Sequence, residues 1–196
     1  MKARAKKPAT YADLSALPSH MVGELIDGEL VASPRPAFDH AITSSALGGA
    51  LVGPFQFGRG GPGGWWIVDE PELHLGQDVL VPDLAGWRRT RMPRPPRAPF
   101  LTLAPDWVCE VLSPSTAAVD RVRKKHIYAR EKVEYVWLVD PVAQTLEVHR
   151  LQDGRWTECG AFSGDARVRA EPFEEVELEL ATLWLPSENE EPSGTS

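Results

Sequence analysis

The sequence is short of several things, and each shortage excludes a class of protein. No run of eighteen apolar residues occurs in its 196 positions, so no membrane-spanning helix is expected. The opening MKARAKKPAT is basic but lacks the apolar stretch of a secretory signal, and residues 1–9 read as a disordered basic arm. Only two cysteines are present, Cys109 and Cys159. Each lies in a strand-like apolar run without metal-ligand spacing, so they read as small core or half-buried residues of a reducing cytoplasm and not as a disulfide. The glycine-rich passage Gly58 to Gly64 lacks the lysine and spacing of a phosphate-binding P-loop. Lysine and arginine are absent from Glu171 onward, and the net charge is -7. That balance argues against a protein that coats nucleic acid without specificity.

What is present belongs to an ordinary folded chain, 42% apolar and 25% charged. The length suits one sizeable core, and no internal repeat or second domain stands out. Two local basic groups run against the net charge: Arg88, Arg89, Arg91, Arg94 and Arg97, then Arg121, Arg123, Lys124 and Lys125. Binding of a polyanion depends on the local field, so Arg88, Arg89, Arg91 and Lys125 are candidate contacts to a nucleic-acid backbone. A solvated loop is the commoner meaning of such a run.

Thr10 with Asp13 predicts a short helix that Pro18 ends. ELIDGELVA carries an Asp27-Gly28 pair between apolar runs, a strong hairpin signal. Phe38 to about Val52 is helical in pattern, with Ile42, Leu47 and Leu51 on its buried face. WWIVD, ELHL and DVLVPDLAGW read as successive strands, and Arg88 to Pro99 as a loop. DWVCEVL is a buried strand, about Ala117 to Glu131 a helix, and YVWLVD a second buried strand. TLEVHRL and RWTECGAF make a hairpin, VELELATLWLP is a short helix or strand, and residues 187–196 are a disordered acidic tail. A strand–helix–strand passage from Trp107 to Val139 predicts a parallel pair, hence a mixed sheet flanked by helices.

Two acids interrupt these apolar strands: Asp83 in VLVPDLAGW and Glu110 in WVCEVL. A carboxylate in such a run is costly to bury unless it is paired or bound to a metal. The bland alternative is a strand end open to water. Two such acids on consecutive strands can lie side by side, where a divalent cation would relieve their repulsion. Few, hard oxygen ligands suit Mg2+ or Mn2+. Asp120, Lys124 and Tyr128 are spaced four apart and form one helical stripe, with Lys125 turned about a hundred degrees away. A lysine on that stripe could reach Glu110, and its truncation would then abolish activity while leaving folding largely intact. Glu24 could join the metal shell, although a solvated strand acid is at least as common. For His40 a surface or capping role is the better expectation. Gln77 and Asp78 read as turn residues, and the tryptophans as core or sheet-face residues.

VPD, EVLSPST and DRVRKKHIYAREKVEYVWLVDP, with GELIDGELVASPRPAFDH upstream, resemble the Uma-type (Uma-two) restriction endonuclease family of the PD-(D/E)XK nuclease superfamily. The resemblance runs from about Tyr11 to Leu185. It implies an α/β, restriction-endonuclease-like mixed β-sheet flanked by helices, with β-hairpin additions, over residues 10–186. It also implies a metal-dependent endonuclease acting on DNA in the cytoplasm, with Asp83 and Glu110 binding Mg2+ or Mn2+. Leu112 stands where the superfamily places its lysine, so the basic residue would come from the next helix, as Lys124. Glu24, His40, Asp120 and Tyr128 are supporting candidates. Lys132 replaces the family's usual glycine at a helix end. A homodimer is compatible with the family's hairpins. The rival reading is a non-catalytic module of the same fold that binds nucleic acid or protein, since fold alone does not fix activity.

Overall fold

The computed structural model describes residues 7–186, so most of the expected N-terminal arm and the whole acidic tail lie outside the described residues. Helix α1, Tyr11–Ser15, begins with the expected reciprocal cap: Thr10 Oγ1 accepts from the Asp13 N–H, and Asp13 accepts from the Thr10 N–H. Strands β1 (Met21–Ile26) and β2 (Glu29–Pro34) pair antiparallel across Asp27-Gly28. Both turn residues have positive φ, 52° and 77°, as a two-residue hairpin of this hand requires.

Helix α2, Phe38–Leu51, runs into a π-helical turn at Val52–Gln56. Pro54 has no N–H to continue the α ladder, and the Phe57 N–H reaches back five residues to the Val52 carbonyl. Leu47 and Leu51 are buried, whereas Ile42 is only partly so. Strand β3 (Trp65–Asp69) follows, then β4 (Leu73–Leu75), β5 (Asp78–Leu80) and β6 (Leu84–Arg88). The expected single strand DVLVPDLAGW is thus divided. Val81, Pro82 and Asp83 carry the chain from a four-stranded sheet, ordered β2-β1-β5-β4, into a six-stranded one. Pro82 cannot donate a ladder bond, which suits it to the crossing. Asp78 is no simple turn residue. It is buried, accepts the Asp27 N–H at 2.7 Å, and pairs with Arg130 at 2.7 Å.

Strand β7 (Trp107–Val111) leads through a Ser-Pro-Ser-Thr turn to a π-helical stretch, Val119–Lys124, continued by α3, Lys125–Arg130. Strands β8 (Tyr135–Asp140), β9 (Thr145–Gln152) and β10 (Arg155–Ser163) complete the large sheet, ordered β10-β9-β8-β7-β6-β3. Only β7 and β8 are parallel there, joined by the helical crossover as the sequence predicts. A small pair, β11 (Arg167–Val168) with β12 (Leu178–Glu179), precedes a 3-10 turn at Leu180–Leu183.

Period-two alternation divides the core between the faces of the large sheet. Trp107, Cys109 and Val111 of β7 face α2 and the C-terminal segment, with Phe173 wedged among Phe55, Trp65, Trp107 and Trp137. Val108 and Leu112 face the opposite way, against Tyr128, Val136, Leu138 and the smaller sheet. Glu110 is therefore on the second face, the only acid of β7. Cys109 is buried and Cys159 exposed, and both are free. No described helix is long and apolar enough to cross a membrane.

Candidate active site

Asp83 stands one residue before β6, and the last ladder pair of β6 with β7 is Leu84 with Cys109. One step further along that register, Asp83 faces Glu110. Alternation gives both the same face, because Ala85 and Trp87 pack with Val108 on that side. Asp83 Oδ2 accepts the Val111 N–H at 2.7 Å, which fixes the carboxylate against β7. The two acids line one cavity of about 310 Å³, enclosed also by the β1–β2 hairpin, the start of α2 and the Ser113–Thr116 turn.

Two members of the helical stripe, Asp120 and Lys124, line the same cavity. Asp120, Lys124 and Tyr128 are all buried. The Lys124 ammonium lies 2.8 Å from Glu110 Oε2, 3.1 Å from Glu24 Oε1 and 3.3 Å from Asp120 Oδ1. The Tyr128 hydroxyl donates to Glu110 Oε1. Asp120 and Lys124, four residues apart, are therefore no exposed surface ion pair, since both are buried. In this π-helical stretch, where the Lys125 N–H bonds to the Asp120 carbonyl, Lys124 is buried and Lys125 only partly so. Lys125 is half-buried with its amine 5.9 Å from the Trp156 ring centre, and burial holds its pKa below the ordinary lysine value. Leu112 is in the core, so β7 itself supplies no cation.

Electrostatically the cavity is under-compensated. Five carboxylates line it, Glu24, Glu70, Asp83, Glu110 and Asp120, against Lys124, Arg35 and the titratable His40. Burial pushes the Glu110 carboxyl well above the usual range; Lys124 opposes the rise, while Asp120, Asp83 and Glu24 add to it. Burial works against the charged form of Lys124 too, but Glu110, Glu24 and Asp120 outweigh it and hold its pKa well above the ordinary value. Both partners of the pair are thus pushed toward holding a proton. The lysine is firmly protonated, because several acids surround one ammonium, and burial, with the neighbouring acids adding to it, raises the carboxyl. Burial likewise raises the Tyr128 hydroxyl, with Glu110 adding to the effect.

His40 is not the surface residue its position suggests. It is 8% exposed, with Nε2 3.3 Å from Asp83 Oδ1. Burial lowers its pKa, but Asp83 and the Val111 backbone more than reverse this, leaving it above the ordinary histidine value. Glu24 is likewise no solvated strand acid, for its Oε1 accepts the Val81 N–H at 2.8 Å.

The basic loop is engaged elsewhere. Arg88 pairs with buried Asp106 at 3.0 Å and with Glu134 at 2.7 Å, and Arg91 reaches the same Asp106 at 2.9 Å. Arg89 donates to the Gln56 carbonyl at 2.7 Å and stacks on Trp66 at 4.0 Å. These three arginines, expected as phosphate contacts, fasten the loop to the sheet. Arg121 and Arg123 are also paired, the first bidentate to Glu147 and the second to Asp27 and Glu29.

Among the described residues, the one group of three Asp, Glu, His or Cys ligand atoms all within 4.8 Å of one another is Glu147, His149 and Glu158 on the β9–β10 hairpin. The sequence reading passed over it, although the spacing of Glu147 and His149 in a strand places both on one face. Arg121 already neutralises Glu147 there. In the main cavity the acids are spread around Lys124 instead. Their chemistry still fits a hard divalent cation: oxygen donors from two adjacent strands, and more negative charge than the chain itself balances.

Residues 9–182 match the model of the Uma2 family, described as "Putative restriction endonuclease". A search of curated proteins gives no match. Among solved structures, a putative nuclease belonging to DUF820 from Anabaena variabilis ATCC 29413 is similar at a TM-score of 0.71 and 26% identity, over 90% of this chain and 97% of that one.

Proposed function

The chain belongs to the Uma2 family of putative restriction endonucleases, and from that premise we propose that it is a divalent-cation-dependent endonuclease hydrolysing phosphodiester bonds of DNA. The observation that carries this reading is the Lys124 ammonium, 2.8 Å from Glu110 in the cavity that Asp83 also lines. Asp83 and Glu110 are the residues that would hold Mg2+ or Mn2+. Such an ion, when bound, polarises a phosphodiester and lowers the pKa of the attacking water.

The remaining work falls to the chain's own groups. Lys124 presents a permanent positive charge where negative charge grows on the phosphoryl oxygens, from a position that is itself buried and held by fixed partners. Glu24 and Asp120 hold that ammonium from two further sides. Tyr128 donates to one Glu110 oxygen and Lys124 to the other, which fixes the carboxylate's orientation. Asp83 is oriented by the Val111 N–H. Preorganisation of this kind is what positions a reacting phosphate and lowers the barrier.

The test is cleavage of supercoiled plasmid in Mg2+ or Mn2+ by wild type beside Asp83→Asn. Asparagine keeps an acceptor for the Val111 N–H, so its thermal midpoint should stay near that of wild type. Wild type is expected to nick or linearise the plasmid, and the variant to be slower by on the order of a hundredfold or more. No cleavage by wild type with either ion would favour the non-catalytic binding module of the same fold.

A further inference from the structure

His40 has an unused ring. It enters the cavity from the first turn of α2, a segment distant in sequence from both proposed cation-binding acids. Its Nδ1 is buried and has no hydrogen-bond partner, so the chain's own hold on the ring is limited to the long contact of Nε2 with Asp83 and the nearby Val111 backbone. Its Nε2 lies 3.3 Å from Asp83 Oδ1. That is long for a charge-assisted hydrogen bond, which closes to roughly 2.7–2.9 Å. It suits a different relation. Two donor atoms bound to one octahedral ion at roughly 2.0–2.1 Å lie about 3.0 Å apart, and slightly more where the angle opens. The other Asp83 oxygen is tied to the Val111 N–H, so Oδ1 is the atom left facing both the histidine and the cavity.

We propose that His40 supplies an imidazole nitrogen to the same cation as Asp83, making this a mixed oxygen–nitrogen site that favours Mn2+ over Mg2+. The inference rests on the reading of Asp83 and Glu110 as cation ligands. Mg2+ is the hardest of the candidate ions and is served by oxygen and water, whereas first-row transition ions accept imidazole more readily. An imidazole also adds a ligand without adding negative charge, in a cavity already holding five carboxylates. The length of α2 matters here. Leu47 and Leu51 anchor it in the core, so its first turn presents His40 from a rigid support.

The experiment uses the full chain without nucleic acid. Mn2+ is titrated and its free signal followed by electron paramagnetic resonance, and electron spin echo modulation then reports any nitrogen-14 on the bound ion. Wild type should show the nitrogen modulation. His40→Gln should lose it and bind Mn2+ on the order of tenfold or more weakly, with a smaller change for Mg2+. His149→Gln should keep the modulation, because that residue belongs to the separate hairpin cluster with Glu147 and Glu158. If His40→Gln lowers the thermal midpoint, His40→Asn provides the second variant. Modulation that survives in the His40 variants, or unchanged Mn2+ affinity, overturns the role of His40 while leaving the nuclease reading intact, provided Asp83→Asn abolishes binding. Equal Mn2+ binding by wild type and Asp83→Asn overturns the cation reading itself, and this inference with it.

Discussion

Removing the Lys124 side chain tests the electrostatics of the site without reference to catalysis. The sequence alone suggested that Lys124→Ala would leave folding largely intact. The structure argues otherwise, because the residue is 3% exposed and its ammonium touches three carboxylates. Breaking a buried pair by deleting one partner costs about 3–5 kcal/mol, since the other charge is left without compensation. Glu110 has one remedy, which is to take up a proton. Its pKa is already raised by burial, and it rises further in the variant because Lys124 no longer opposes the shift. A carboxyl whose folded-state pKa stands above its unfolded value binds more protons folded than unfolded. Its contribution therefore falls as pH rises above the ordinary glutamate value of about 4.3, and returns on acidification. Wild type loses less over the same range, because Lys124 stays charged. The deficit of the variant should be greatest near pH 8 and shrink toward pH 5 by up to about 1.4 kcal/mol per pH unit. Urea unfolding followed by tryptophan fluorescence, in chelator, at several pH values measures it, with Trp87, Trp107 and Trp137 as buried reporters. A loss below about 1 kcal/mol, as for an exposed pair, or a deficit independent of pH, would refute the reasoning.

Three further outcomes follow from the contacts. Tyr128→Phe removes the buried donor to Glu110 Oε1 and should cost about 1–3 kcal/mol in the same unfolding assay, with cleavage reduced alongside. Arg88→Ala strips one of the two arginines from buried Asp106 and should lower stability by about 1–3 kcal/mol. The salt dependence of DNA binding should stay the same in that variant, whereas loss of a real phosphate contact would reduce the slope by roughly one unit. Lys132→Gly should raise stability by about 0.5–1 kcal/mol, because Lys132 sits at φ 61° at the end of α3, where an L-residue is strained and glycine is not. A lower unfolding midpoint for that variant would count against the cap argument.

Local signals carried much of the architecture. The Thr10–Asp13 cap, the Asp27-Gly28 hairpin and the parallel β7–β8 pair all depend on residues close in the chain or on a short crossover, and the structure contains each of them. The stripe of Asp120, Lys124 and Tyr128 was legible for the same reason, since a four-residue spacing on a helix points one way whatever the helix packs against. Position on the fold was less legible. Asp83 was noticed as an acid inside a strand, but it lies at the crossing between two sheets, where Pro82 interrupts the ladder. Glu24 and His40 gave no distinctive pattern of their own; the β1–β2 hairpin and α2 bring them to Lys124 and Asp83. The arginines from Arg88 to Arg91 show the same limit. In sequence they are a basic run suited to a polyanion, and in the fold Asp106, Glu134 and the Gln56 carbonyl take their charges. Periodicity, caps and turns act over a few residues and are written in the order of the chain. Which charge neutralises which depends on distances of a few ångströms between segments dozens of residues apart, and only the packed tertiary structure sets those distances.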